Sequence, residues 1–374
     1  MRFSRSLIPF VLALSSTVFA SDASMPHHLF IGTYTKQGSR GIYSLQLDGR
    51  TGELSAPTLA AETPNPTYLA LSPDHRRLYA VGEGAGMAVG YTISPDATQL
   101  IPLAPAQPTA GVAPCYLMTD ATGRALVLAN YHSGLVASLP IGADGTLSPP
   151  VSVIRHSGSS VNPDRQKAPH PHCAVLSPDN RFVFVCDLGT DKINIYRLDV
   201  ARATLTPHEP AFVSTPPGVG PRHLAFAPDG RHAFMISEMG ATLTSYRYDG
   251  ERGTLVPLDS QSTLVAPFPG ENKCAAVRVH PNGRFVYGSN RGADTLVVFA
   301  FDAASGRLER IQSEPCGGPN PRDFNLSPDG RWLVVGHQDA NTLNVFSVDP
   351  ATGRIAPTAA TVSVGAPVCV VFAD

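Results

Sequence analysis

The chain has 374 residues, a formal net charge of -2, 43% hydrophobic residues and a single Trp. So even a balance gives no basic footprint for nucleic acid, and the lone Trp argues against a WD-repeat array. Length alone would allow two or three domains, and the internal organisation of the chain decides the matter instead.

Residues 1–20 read MRFSRSLIPFVLALSSTVFA, with Arg2 and Arg5 ahead of an apolar stretch and Val18 and Ala20 at the small-residue positions before a cut. This pattern predicts a secretory signal peptide, too short and wrongly flanked to remain as a membrane span, with the mature chain starting at Ser21. The expectation is a periplasmic or secreted protein with no stable membrane insertion, in a compartment that permits disulfides. Cys115, Cys173, Cys186, Cys274, Cys316 and Cys369 follow no metal-ligand spacing and sit in or beside apolar strand runs. We expect no structural metal and no cofactor; one disulfide is allowed, with its pairing unreadable.

From His27 onward one unit recurs: a proline or polar step, a short apolar run, a PDG-like turn, a second apolar run, a polar loop and a third apolar run ending in an acidic residue. Its clearest copy is PGVGPRHLAFAPDGRHAFMISEMGATLTSYRYDGERGTL, Pro217 to Leu255. The turns fall at Asp74, Thr122, Asp179, Asp229, Asn282 and Asp329, so successive spacings are 48, 57, 50, 53 and 47 residues. Strand-length runs at such a period, separated by Gly, Pro, Asn or Asp, predict a β-propeller of four-stranded antiparallel blades. Six blades are explicit. The start, His27 to Leu54, lacks a first strand, and the end, Gly365 to Asp374, supplies only a first strand. Joined, they make a seventh blade and leave no open sheet edge at the closure. Residues 21–374 are therefore expected to form one all-β, seven-bladed propeller domain.

In a blade, the start of the innermost strand and the end of the second strand reach the same face, beside the central channel. Seven residues before the turns stand Thr67, Cys115, His172, Arg222, Ala275, Arg322 and Pro367; nine residues after them stand Glu83, Tyr131, Leu188, Glu238, Arg291 and Gln338, with Tyr34 equivalent in the split blade. These rings are far more polar than packing requires. Arg222 and Glu238 belong to one hairpin and should touch; such a pair suits either chemistry or a structural clamp. An arginine can polarise a carbonyl, each preorganised donor being worth roughly 3 to 4 kcal/mol, and a neighbouring carboxylate or imidazole can activate water. Ester or lactone opening fits that set. The longest inter-turn gap contains VIRHSGSSVNPDRQKAPHPH, with His156, Arg165, Gln166 and Lys167. It is expected to arch over the same face, either as a solvated loop or carrying an anion-binding group.

Taken together, IGTYT, NPTYLALSPD, ANYHSG, HSGSSVNPDRQKAPHPH, PRHLAFAPDG, SEMGATLTSY, GRFVYGSNRG and PRDFNLSPDG give the chain an ordered pattern that resembles the seven-bladed propeller lactonases, bacterial 6-phosphogluconolactonases and fungal carboxy-cis,cis-muconate lactonising enzymes. The resemblance implies a catalytic set of His170 or His172, Arg222, Glu238 and Arg291. In that set the arginines hold substrate oxygens and the glutamate or histidine manages the proton. Arg322, Gln338, Glu83, Arg165, His223 and Tyr131 are the candidate substrate-binding residues around it. The sequence departs from the pattern at Tyr116, where relatives commonly carry histidine, and at Val277. The expected activity is metal-free hydrolysis of a small sugar-acid lactone. A muconate-type cycloisomerase and a non-enzymatic ligand- or protein-binding propeller are the alternatives. Export sits poorly with a phosphorylated cytoplasmic substrate, so an unphosphorylated lactone is one expectation. The sequence sets no oligomeric state.

Overall fold

A computed structural model describes residues 25–374; the signal peptide expected at 1–20 lies outside the described residues. Its strands form seven four-stranded antiparallel sheets, each a blade, with no helix among the described residues. The fourth blade is typical: Pro221–Phe226 innermost, then His232–Ser237, Thr242–Asp249 and Thr254–Ser262 at the rim. The split blade closes as the sequence predicts. The C-terminal strand Pro367–Phe372 is innermost and pairs with His27–Thr33, which is followed by Gly41–Leu47 and Thr58–Glu62.

The repeated turn residues do turn chemistry. Ser72, Ser177 and Ser327 each donate a hydroxyl hydrogen bond to the Asp two residues on, Asp74, Asp179 and Asp329, a local pattern that competes with strand pairing and ends the strand. Between blades the sheets pack face to face on their apolar residues. Aromatic side chains just past a turn reach the next blade: Tyr79 donates to the Gly145 carbonyl at 3.0 Å, Tyr287 to Gly353 at 2.8 Å and Trp332 Nε1 to Gly49 at 2.9 Å. Gly253 shows why the rim hairpin repeats its glycine. Its φ is +62°, and a Cβ there would lie 2.3 Å from the Phe182 ring of the preceding blade; only glycine accepts both conditions.

The same feature aims side chains into the channel in four blades. The innermost strand slips register at Pro114/Tyr116, Pro171/Cys173, Pro221/His223 and Pro321/Asp323. The residue inside each slip is Cys115, His172, Arg222 or Arg322. A bulge leaves one residue outside the ladder and re-aims its side chain; proline, lacking an N–H, tolerates the adjoining break. In these four blades, then, the position seven before the turn is a bulge residue.

All six cysteines are buried free thiols, with no disulfide among them. No helix of the described residues is long and apolar enough to cross a membrane.

Candidate active site

Glu238 follows directly on the strand His232–Ser237 and is only 4% exposed. Three guanidinium groups from three parts of the chain converge on its carboxylate. Arg222 Nε donates to Oε2 at 3.0 Å from the facing bulge, and Arg291 Nη2 donates to the same oxygen at 2.9 Å from the next blade. Arg165 Nη2 donates to Oε1 at 2.6 Å from the long insertion. Burial works to raise the Glu238 pKa, but Arg291 and Arg222 outweigh it and hold the carboxyl well below the usual carboxylate range. One anion thus gathers three cations, which is what keeps so much like charge together.

The cluster floors a cavity of about 320 Å³ at one mouth of the channel. Its wall is made by Glu83, Cys115, Tyr131, His132, Arg165, His172, Glu238, Lys273, Arg291 and Arg322. Four permanent cations there, Arg165, Lys273, Arg291 and Arg322, face two carboxylates, Glu83 and Glu238, so the cavity favours an anion or a carbonyl developing negative charge. Below it the channel narrows at Thr67, Tyr68, Glu83, Cys115, His172, Arg222, His223, Arg322, Asp323 and Val368.

The predicted residues separate into groups. Glu83, Tyr131, Arg165, His172, Glu238, Arg291 and Arg322 line the cavity together. Arg222 lies beneath it, 2% exposed, with Nη1 donating to the Ala275 carbonyl at 2.6 Å and pairing with His223 Nε2 at 3.1 Å; its free face is spent on protein. His223 sits in the neck, edge-on to Tyr116 and His172. His170 braces the wall from behind: its ring stacks on Tyr131 at 4.5 Å and its Nδ1 pairs with the Tyr131 carbonyl at 3.0 Å. Of the two histidines left open by the sequence, His172 is the one facing the cavity. Gln338 is not brought into the cavity; its side-chain amide turns to Asp339 at 3.3 Å.

Burial and the neighbouring Arg222 push the His172 imidazole well below its ordinary pKa of 6.5, and burial, Arg222 and His172 do the same to His223. Both rings are therefore neutral in the folded protein at neutral pH. Burial also raises the Cys115 thiol, with Glu83 adding to it, so that side chain is no ready nucleophile.

The insertion arches over this face and brings Arg165 with it. Two acidic residues pin it down, Asp187 at the end of the strand Phe182–Asp187 and Asp191 in the turn that follows. Asp187 pairs with His156 Nδ1 at 2.6 Å and accepts from the His170 backbone N–H at 2.8 Å. Asp191 accepts from Ser160 at 2.5 Å and from the N–H groups of Gly218 and Gly220 at 2.6 and 2.8 Å, one step before the Pro221–Arg222 bulge. Gln166, fully buried, donates to the Leu188 carbonyl at 2.9 Å, while Lys167 points to solvent.

Sequence reasoning missed Lys273 and His132 in the cavity wall. Lys273 pairs across the ladder with Arg291, so once Arg291 was selected its cross-strand partner carried the signal. His132 is the residue after Tyr131 and had none of its own.

A closed seven-bladed ring with a cationic, carboxylate-centred cavity at one channel mouth defines a small-molecule enzyme site more readily than a docking platform. The family described as "Lactonase, 7-bladed beta-propeller" matches residues 28–372. The chain is 36% identical to a 6-phosphogluconolactonase of Bacillus subtilis over 345 residues, 92% of this chain and 97% of that one. It is 31% identical to a 6-phosphogluconolactonase of Serratia proteamaculans over 258 residues, 69% of this chain and 73% of that one. Among solved structures, the periplasmic gluconolactonase of Pseudomonas aeruginosa superposes with a TM-score of 0.88 and 38% identity, covering 93% of this chain and 99% of that one. The chain belongs to the seven-bladed β-propeller lactonase family.

Proposed function

We infer that the chain is a lactonase that opens the ring of a sugar-acid lactone with water, using the cavity centred on Glu238. The observation that carries this reading is the convergence of Arg165, Arg222 and Arg291 on one buried carboxylate at 2.6 to 3.0 Å. Glu238 and Arg222 form the fixed base of the site. Arg291 and Arg165 keep further N–H donors for the lactone carbonyl oxygen, whose negative charge grows as water adds to its carbon; one such donor is worth roughly 3 to 4 kcal/mol. Arg322 and Lys273 widen the positive field toward the hydroxyls and any anionic tail. His172 and Tyr131 supply neutral hydrogen-bonding walls that fit a polyol ring.

The substrate we propose is an unphosphorylated aldonolactone met outside the cytoplasm. Two observations support it: residues 1–20 carry a secretory pattern, and a relative of 38% identity is a periplasmic gluconolactonase. The four cations of the wall would also accept a phosphate, so the two substrates separate the readings. Acid release is followed from glucono-δ-lactone and 6-phosphogluconolactone against buffer alone, at mildly acidic pH where spontaneous opening is slow. Preference for glucono-δ-lactone supports the exported role. Preference for the phosphorylated lactone moves the substrate assignment. No rate above buffer on either overturns sugar-lactone hydrolysis and brings forward the cycloisomerase chemistry.

A further inference from the structure

Two glutamates face one another across the cavity at equivalent places, each one residue past the second strand of its blade: Glu238 after His232–Ser237, and Glu83 after Arg77–Gly82. Their surroundings differ in kind. Both oxygens of Glu238 are taken by guanidinium groups at 2.6 to 3.0 Å. Glu83 has one long hydrogen bond, from the Tyr34 hydroxyl to Oε1 at 3.3 Å, and its buried Oε2 has no partner among the described residues. Water activation needs a carboxylate oxygen that can accept and hold a proton. An oxygen bound by charged N–H groups must give those bonds up to do so, and loses the interactions that fixed it. His172 is no better placed, because a proton on its ring would stand beside Arg222 and Arg322, both lining the same neck.

We propose that Glu83 is the general base of the lactonase reaction, a reading that rests on the function proposed above. The groups facing it are Tyr34 and Arg322 from the blades on one side, Cys115 and His172 from those on the other, and Arg222 and Glu238 across the channel. Arg322 makes no hydrogen bond to the carboxylate and lies over the Tyr34 ring at 5.7 Å, so it leaves Oε2 uncapped. In the reaction, Oε2 takes one proton from water as the water oxygen bonds to the carbonyl carbon. The carbonyl electron pair moves onto its oxygen, held by Arg291 and Arg165. The intermediate then collapses, the bond from that carbon to the ring oxygen breaks, and protonated Glu83 returns the proton to the ring oxygen, which leaves as a hydroxyl. The acid product ionises and releases one proton to solvent. Water is the only co-reactant.

The test uses the mature chain and glucono-δ-lactone. In Glu83→Gln, kcat falls by about a hundred- to ten-thousandfold, the size of general-base catalysis, while KM stays within about threefold because the binding arginines are intact. The acidic limb of the kcat profile disappears. Glu83→Gly recovers rate on addition of formate, whose carboxylate replaces the missing one; a residue that merely braces the fold shows no such rescue. Far-UV circular dichroism and the melting temperature confirm that both variants are folded. Retention of kcat within about threefold in Glu83→Gln, or an unchanged acidic limb, overturns the role of Glu83 and leaves the lactonase reading standing. A wild-type chain no faster than buffer overturns the lactonase reading and Glu83 with it.

Discussion

Glu238 is the shared counterion of Arg165, Arg222 and Arg291. Replacing it by Gln leaves three guanidinium groups facing one another with no anion between them. Breaking a buried pair by removing one partner costs about 3 to 5 kcal/mol, and we expect a loss of that order in urea unfolding, along with loss of lactone hydrolysis. Unchanged stability in Glu238→Gln would mean that the arginines find other partners and that the carboxylate does not organise the site. The acid behaviour follows from the sign of its shift. Its folded pKa lies below the ordinary 4.5, so its contribution is complete above that value and disappears only as the pH falls through the lower, folded pKa. Arg222 and Glu238 were legible together in the sequence since one hairpin carries both. Arg165 was legible as a binding candidate on the long insertion, but its pairing with Glu238 was not, because it stands 73 residues from Glu238 and no local periodicity specifies where a long loop lands. Gln338 shows the reverse error: it shares the repeat position of Glu238 and Arg291, yet its side chain turns away to Asp339.

The insertion between the second and third blades is an element with few strand bonds of its own, held at His156–Asp187, Ser160–Asp191 and Gln166–Leu188. Asp191 matters twice, since it also fixes Gly218 and Gly220 just before the Arg222 bulge. Asp191→Ala should therefore loosen both arms of the arginine cluster. We expect kcat/KM to drop by roughly ten- to a hundredfold, the effect of small misplacements of a binding group, with faster tryptic cleavage after Arg165 and Lys167. Cleavage and kinetics equal to wild type would show that the loop is held by its other contacts alone. From sequence the loop was recognisable by its excess length and its polar composition. Its anchors were not, because Asp187 and Asp191 look like the turn residues that recur in every blade.

At the scale of the whole molecule, closure depends on the C-terminal strand. Pro367–Phe372 is the innermost strand of the split blade, Val370 N–H donates to Asp323 at 2.9 Å, and the Asp374 carboxylate meets His27 and the His28 N–H. Removing residues 367–374 opens the ring and exposes a strand edge; we expect loss of cooperative unfolding and aggregation on size exclusion, and a soluble, cooperatively folded product would contradict the closure. The neutral histidines of the channel set a second global property. His172 and His223 have folded pKa values below the ordinary 6.5. Between those lowered values and 6.5 the unfolded chain binds more protons, so stability falls as the pH drops below 6.5, by up to about 1.4 kcal/mol per pH unit for each ring. Urea titrations at about pH 7.5 and about pH 5.5 should show that fall, and His223→Asn should lessen it. The architecture was almost wholly legible, because the period of the turns and the complementary chain ends are local features repeated many times. The register slips beside Pro114, Pro171, Pro221 and Pro321 were not, since a bulge depends on pairing and leaves only a proline in the sequence.

The most direct test of the central claim is the initial rate of acid release from glucono-δ-lactone by the mature wild-type chain and by Arg291→Ala, which removes a cavity-lining guanidinium while leaving Arg222 and Arg165 on Glu238. We expect a wild-type rate well above buffer and a folded variant slower by on the order of a hundred- to a thousandfold. Equal rates in the two proteins, or a wild-type rate no greater than that of buffer, would contradict it.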